Sequence, residues 1–105
     1  MLAKLAEVIA GLNKTYLCDF DGFKIYLING YNLRKTHVDF IGGGNGFAYP
    51  WIPNGEIWLE DMLDRRDIPM IFVHEYREAL NMMKGWSYLR AHRAANHAEN
   101  YQRQS

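Results

Sequence analysis

The sequence contains one cysteine, Cys18, and therefore cannot form a disulfide within the chain. Its place in an alternating apolar run predicts a buried structural thiol, and the lack of disulfides favours a reducing, cytoplasmic compartment. A net charge of one sign is also missing, since 12 lysine and arginine residues balance 12 aspartate and glutamate residues. Such a chain has no general attraction for nucleic acid or for an anionic membrane, so we expect neither as a partner.

Long apolar segments are absent from the sequence as well, since no run approaches the roughly 20 residues that a transmembrane helix needs. Lys4 and Glu7 interrupt the apolar residues near the amino terminus, and no cleavage pattern follows. We therefore interpret residues 1–11 as part of an amphipathic helix and not as an export signal. The 105 residues, 49% of them apolar, are enough for one hydrophobic core and predict a single domain over residues 1–105.

The first half of the chain predicts a helix followed by a hairpin. Apolar residues at intervals of three and four indicate a helix over residues 2–13. The pair Asp21-Gly22 separates two β-prone runs, residues 16–20 and 23–28, and such a pair is a strong indication of a tight turn. We expect these two runs to form antiparallel strands.

Two further strands are predicted before the carboxy-terminal half. One covers residues 34–41 and contains His37, and the other is Glu56–Glu60. Pro53 and the charged ends of the latter are typical of an edge strand. No helix begins after the glycine-rich residues 42–46, so we interpret them as a flexible loop and not as a phosphate-binding site.

The remaining sequence predicts two helices joined by a turn at Gly85. The first follows Pro69, and the second extends from Tyr88 to about Gln102 with Ser87 as its cap, leaving residues 101–105 to fray. The order of elements predicts an α+β domain, in which helices pack on one face of a small, mostly antiparallel sheet of about four strands.

The predicted buried helix carries a histidine and two glutamates within five positions, at His74, Glu75 and Glu78. Burying such groups is costly unless they are paired, and a bound cation would offset the cost. His74 and Glu78 lie one turn apart on one face and can share a metal. If the two helices are antiparallel, His92 lies at a similar height, and Glu99 shares the face of His92.

A helix with the pattern His-Glu-x-x-Glu, followed by one with Tyr-x-x-Ala-His-x-x-Ala-x-x-x-Glu, resembles a group of small, largely uncharacterised bacterial and phage proteins. These proteins resemble zincin-type metallopeptidases, and the resemblance covers residues 47–100. It implies a zincin-like fold with metal ligands at His74, Glu78 and His92. It further implies that Glu75 is the general base, and that Glu99 is a fourth ligand or the partner of a ligand.

The expected function is accordingly that of a metal-dependent hydrolase, related to metallopeptidases, with zinc as its cofactor. The expected substrate is a peptide or a small molecule, and a peptide could add along the strand Glu56–Glu60. The candidate substrate-binding residues are aromatic: Trp58, Tyr49, Trp51 and Tyr88.

Two alternatives stay open at this point. The same ligands could form a non-catalytic structural clasp, or the glutamates could simply pair with arginines of the two helices, at positions 77, 90 and 93. Alternatively, two histidines and three glutamates could form a dinuclear site, which would favour iron or manganese over zinc.

Overall fold

The computed structural model describes residues 11, 14–34, 40 and 42–104. The predicted first helix, apart from Gly11, lies outside these residues, and so does His37. Within the described part of the chain, no helix has the length and apolar character that crossing a bilayer requires.

Four strands form one mixed sheet in the order β1-β2-β4-β3. They are β1 (Thr15–Phe20), β2 (Phe23–Ile28), β3 (Gly43–Asn45) and β4 (Glu56–Glu60). The predicted hairpin is confirmed, because β1 and β2 pair in antiparallel fashion. Its turn residues, Asp21 and Gly22, have positive φ angles of 50° and 83°. The pair β3–β4 is also antiparallel, whereas β2 and β4 are parallel.

The prediction that Glu56–Glu60 is an edge strand is wrong, because β4 lies between β2 and β3. Its three central side chains are buried on both faces of the sheet, as expected of a central strand. Its charged ends are paired: Glu56 accepts a hydrogen bond from Lys14, and Glu60 lies 2.6 Å from an Arg34 nitrogen. The two glutamates therefore form ion pairs within the chain. They are not the solvent-exposed charges that keep an edge strand from pairing with other molecules.

The interpretation of residues 42–46 as a flexible loop is wrong for Gly43–Asn45, which forms β3. A Cβ on Gly43 would lie 3.0 Å from Ile71, and one on Gly44 would lie 2.7 Å from the Tyr49 ring. Glycine is needed at both positions because the side chains of Ile71 and Tyr49 pack closely against the two faces of the strand. A sequence reading based on glycine flexibility missed this crowding.

The predicted strand over residues 34–41 is contradicted at its start. Arg34 ends a short helix, α1 (Gly30–Arg34), whose first turn is capped by Asn29 through a hydrogen bond from the Asn32 amide, 3.1 Å long. Asn29 therefore caps the start of a helix, a position at which asparagine is among the preferred residues. Residues 35–39 and 41 lie outside the described residues.

The two carboxy-terminal helices are confirmed as α2 (Ile68–Met83) and α3 (Tyr88–Gln104). Gly85 in the connection has a φ of 94°, and the Ser87 hydroxyl accepts a hydrogen bond from the Arg90 amide, as predicted for a cap. The fraying predicted for residues 101–105 is wrong for 101–104, which are helical.

Side chains from the sheet and α2 form one buried cluster: Phe23, Ile25, Ile57, Leu59 and Ala79. A second cluster covers the other face of the sheet and consists of Ile28, Leu33, Phe40, Ile52 and Trp58. The α+β prediction is thus confirmed with a mixed sheet. Cys18, predicted to be buried, is exposed, as are the other five residues of the outer strand β1.

Candidate metal centre

Three side chains converge between α2 and α3. His74 and Glu78 are one turn apart on α2 and buried, and His92 faces them from α3. The helices can approach closely because α3 turns Ala91 and Ala95, both completely buried, toward its neighbour. Small side chains at the crossing therefore bring ligands from the two helices within reach of one another.

The ligand atoms of these three residues are mutual neighbours. His74 Nε2 lies 3.2 Å from His92 Nδ1 and 3.2 Å from a Glu78 oxygen, and His92 Nδ1 lies 2.8 Å from that same oxygen. Zinc ligands at about 2.0–2.2 Å from the metal are roughly 3.3–3.6 Å apart in a tetrahedron. The observed separations are slightly shorter, and the donor set of two imidazoles and one carboxylate suits zinc. The three residues could thus hold one ion.

Glu75 lies beside this cluster without belonging to it. One of its oxygens accepts a 3.1 Å hydrogen bond from the Asn45 amide group, and the other is 4.0 Å from His74 Nε2. The same Asn45 nitrogen also donates to Glu78 over 3.2 Å. A single amide on β3 therefore holds both carboxylates of α2.

The orientation of the Asn45 side chain is fixed by its own backbone surroundings. Its carbonyl oxygen accepts hydrogen bonds from the amides of Phe47 and Ala48, at 3.0 and 3.1 Å. The NH₂ group must then point toward the carboxylates, because only it can donate to them. Asn45 is completely buried, so its donor cannot turn to water instead.

Glu99 lies on the opposite side of the His74 ring from the three ligand atoms. One Glu99 oxygen is 3.1 Å from His74 Nδ1, a buried nitrogen whose contact does not have hydrogen-bond geometry. The other oxygen accepts a 3.0 Å hydrogen bond from Arg103. Glu99 therefore contacts a candidate ligand and not the cluster of ligand atoms itself. It also pairs with Arg103, and not with an arginine at position 90 or 93.

The two buried carboxyl groups of α2 differ in acidity. Burial, together with the charge of Glu78, raises the pKa of Glu75 to about 7. Burial acts on Glu78 in the same direction, but the hydrogen bonds of His74 and His92 outweigh it and lower the pKa of Glu78. At neutral pH and without a cation, Glu78 is therefore ionised while Glu75 holds a proton in part of the molecules.

The same carboxylates also affect the pKa of His74. Burial lowers its pKa, but the contact with Glu78 and the charges of Glu75, Glu78 and Glu99 outweigh this effect, so that the pKa of His74 is raised. Three carboxylates around one imidazole thus attract positive charge to this position. A proton or a metal ion can supply it.

The cluster opens into a cavity of about 180 Å³. Besides the site residues it is lined by Gly43, Ile71 and two of the four aromatic candidates, Tyr49 and Tyr88. The Tyr88 hydroxyl lies 3.5 Å from His92 Nδ1. Trp58 is completely buried on the other face of the sheet, and Trp51 packs against it, so neither lines this cavity.

Comparison with known proteins does not identify a relative. No family model matches the chain, and no curated protein or solved structure matches it either. The assignment of a function therefore rests on the geometry of the site.

Two residues of the site escaped the sequence analysis. Asn45 was assigned to a loop, although it is the one residue of its five-residue glycine run with a side chain that can donate. Arg103 was placed in a fraying tail, although its spacing of four from Glu99 is typical of an ion pair on a helix. The fourth histidine of the chain, His97, lies on α3 but is exposed to solvent.

Proposed function

We propose that this protein is a zinc-dependent hydrolase in which His74, Glu78 and His92 hold the metal and Glu75 is the general base. The observation that carries the proposal is the separate placement of Glu75. It is buried beside the three ligand atoms, does not share in their cluster, and faces the same cavity. A purely structural site would have no use for an additional buried carboxylate with a pKa of about 7.

Zinc bound at such a site supplies Lewis acidity, which makes water more acidic and polarises a carbonyl group. The protein supplies the proton acceptor and its orientation. Burial raises the pKa of Glu75 to about 7 in the metal-free protein, and a cation bound nearby would lower it and favour the ionised form that a general base requires. Asn45 holds one Glu75 oxygen and leaves the other free to take a proton.

The substrate reaches Glu75 through the cavity between the two helices and β3. The expected addition of a peptide along Glu56–Glu60 does not fit the fold, because both edges of β4 are already paired. Tyr49 and Tyr88 line the cavity and are the proposed substrate contacts. The Tyr88 hydroxyl lies near the ligand atoms and could donate a hydrogen bond to the carbonyl oxygen of a substrate as negative charge develops on that oxygen.

The first test measures metal binding by untagged protein. We expect one equivalent of zinc per chain, and a strong loss of affinity in His92→Ala. His97→Ala is the matched control, because it removes an exposed imidazole from the same helix and should bind zinc like the parent. Full zinc occupancy in His92→Ala would refute the ligand assignment. Two equivalents in the parent would favour the dinuclear iron or manganese alternative.

The second test separates catalysis from metal holding. With peptides and small esters or amides as substrates, Glu75→Gln should keep its zinc and lose roughly 10²- to 10⁴-fold in rate, as is usual for a general base. Glu78→Gln should instead lose zinc affinity, because it removes an anionic ligand. If Glu75→Gln has parental turnover at equal zinc occupancy, the base is misassigned. If zinc binds but no substrate is hydrolysed, the site is a structural clasp.

A further inference from the structure

Behind His74, a chain of charged side chains extends from the candidate metal centre to the surface. Glu99 lies 3.1 Å from His74 Nδ1 with one oxygen, and two nitrogens of Arg103 lie 3.0 Å from its other oxygen. A third nitrogen of Arg103 donates to Asp67 over 2.9 Å. Because Asp67 directly precedes α2 and Arg103 lies in the last turn of α3, this chain also ties the two helices together beyond the ligands.

The protonation of His74 Nδ1, which faces Glu99, determines whether Nε2 has a lone pair for a metal. A neutral imidazole carries its proton on one nitrogen and has a lone pair on the other. The contact lacks hydrogen-bond geometry, but the negative charge of a carboxylate 3.1 Å from Nδ1 favours the proton on that nitrogen, which leaves the lone pair of Nε2 for the cluster with Glu78 and His92. Nδ1 is fully buried, so water cannot take over this role.

Glu99 can act in this way only if its carboxylate is held against the His74 ring. Arg103 is placed to do so, because its guanidinium contacts Glu99 with two nitrogens and is itself anchored to Asp67 by the third. An exposed ion pair between positions four apart on a helix would by itself contribute little to folding. The anchor on another helix and the buried histidine set this pair apart.

We propose that Arg103 is a positioning residue of the metal centre, which holds Glu99 so that His74 presents Nε2 to the metal. The inference rests on the proposed function, since it requires that His74 is a ligand. Arg103 touches neither metal nor substrate. Its role is to fix the tautomer and ring orientation of His74 through Glu99.

The experiment compares zinc affinity, measured with a competing chelator, in the parent and in Arg103→Gln. Loss of such a supporting contact typically weakens metal binding about 10- to 100-fold, and we expect a similar loss in Glu99→Gln. Arg103→Lys should recover part of the affinity, because one ammonium can still reach Glu99. Arg93→Gln removes the same charge from an exposed position of α3 and should bind like the parent.

A spectroscopic readout separates positioning from general stability. The visible absorption of the cobalt-substituted protein reports ligand geometry, and its bands should change in Arg103→Gln but not in Arg93→Gln. Parental affinity and parental cobalt bands in Arg103→Gln would overturn the inference while leaving the metal centre intact. If the parent binds no metal at all, the proposed function itself fails.

Discussion

Within the described residues, glutamates are buried at two places, and their charge is compensated differently at each. Glu60 at the end of β4 contacts Arg34, and its second oxygen accepts a 3.3 Å hydrogen bond from the Gly42 amide. Glu75 and Glu78 on α2 contact two histidines and one asparagine amide, and within the described residues neither is in contact with an arginine or lysine side chain.

The difference lies in whether the compensating charge is permanent. Arginine remains charged at any pH at which proteins fold, so the Glu60 pair needs nothing from solution. Histidine is charged only after it takes up a proton, so the α2 site changes with pH and attracts ions. We infer that the first arrangement serves the fold and that the second is kept open for a ligand.

The largest effect should come from adding metal to the second site. At a free zinc concentration of about 1,000 times its dissociation constant, a ligand bound only by the folded state stabilises it by roughly 4 kcal/mol. We expect this increase in the free energy of unfolding for the parent and for Arg34→Met, because the two sites are separate. His92→Ala should lose it. Urea unfolding with buffered zinc or a chelator measures each case, and identical curves for the parent would contradict the prediction.

The pH dependence of the metal-free protein should give the next largest effect. The folded-state pKa of Glu75, about 7, lies above the ordinary value of 4.5. Its contribution to stability is therefore intact below about pH 4.5 and is lost as the pH rises through 7. At about 1.4 kcal/mol per pKa unit, this shift corresponds to a loss of roughly 3.5 kcal/mol.

Glu75→Gln provides the comparison for this measurement, because a glutamine cannot ionise. Urea unfolding without metal, at several values between pH 4.5 and 8, should show the parent losing stability relative to the variant as the pH rises. The raised pKa of His74 acts in the same direction. A parent that gains stability relative to the variant over this range would show that Glu75 is ionised throughout.

Removing the permanent cation of the first site should cost somewhat less. Arg34→Met leaves Glu60 buried without its partner, and we expect a loss of about 2–3 kcal/mol, since the arginine is partly exposed to solvent. Adding Glu60→Met should recover most of it, because both charges are then gone. No recovery in the double variant would mean that Arg34 acts through its hydrogen bond to the Phe40 carbonyl.

The smallest effect is expected for the neutral partner of the second site. Asn45→Ala removes a donor to two carboxylates and should lower the free energy of unfolding of the metal-free protein by about 1–2 kcal/mol. At saturating zinc it should lower activity more than zinc affinity, because Glu75 loses its orientation. Thermal unfolding measures the loss of stability, and activity assays with a parallel zinc titration measure the effect on catalysis. Parental activity at equal zinc occupancy would show that Asn45 does not orient Glu75.

The sequence predicted local features well. The hairpin around Asp21-Gly22, the two carboxy-terminal helices and the Ser87 cap depend on neighbouring residues, and all are confirmed. The convergence of His74, Glu78 and His92 could also be predicted, because spacing along two helices joined by a short turn limits where their faces meet.

The errors concern contacts between residues distant in the chain. The central place of β4 depends on its parallel pairing with β2, which no local pattern records. Gly43 and Gly44 lie in a strand that pairs with β4, and Ile71 and Tyr49 leave no room for side chains on its two faces, which composition alone does not reveal. Asn45 was missed for the same reason, since its partners Glu75 and Glu78 are 30 and 33 residues away.

The parallel pairing of β2 with β4 also has a consequence for how the chain folds. Lys24 of β2 pairs with Glu56 of β4, which is distant in the chain. The sheet can therefore be completed only by a contact between distant residues, and such contacts form slowly. The helices α2 and α3 are consecutive in the chain, and all three candidate ligands lie on them. We expect the helices to bind a metal ion early in folding. Glu75 becomes oriented only later, when β3 pairs with the sheet and the Asn45 side chain can donate its hydrogen bond to Glu75.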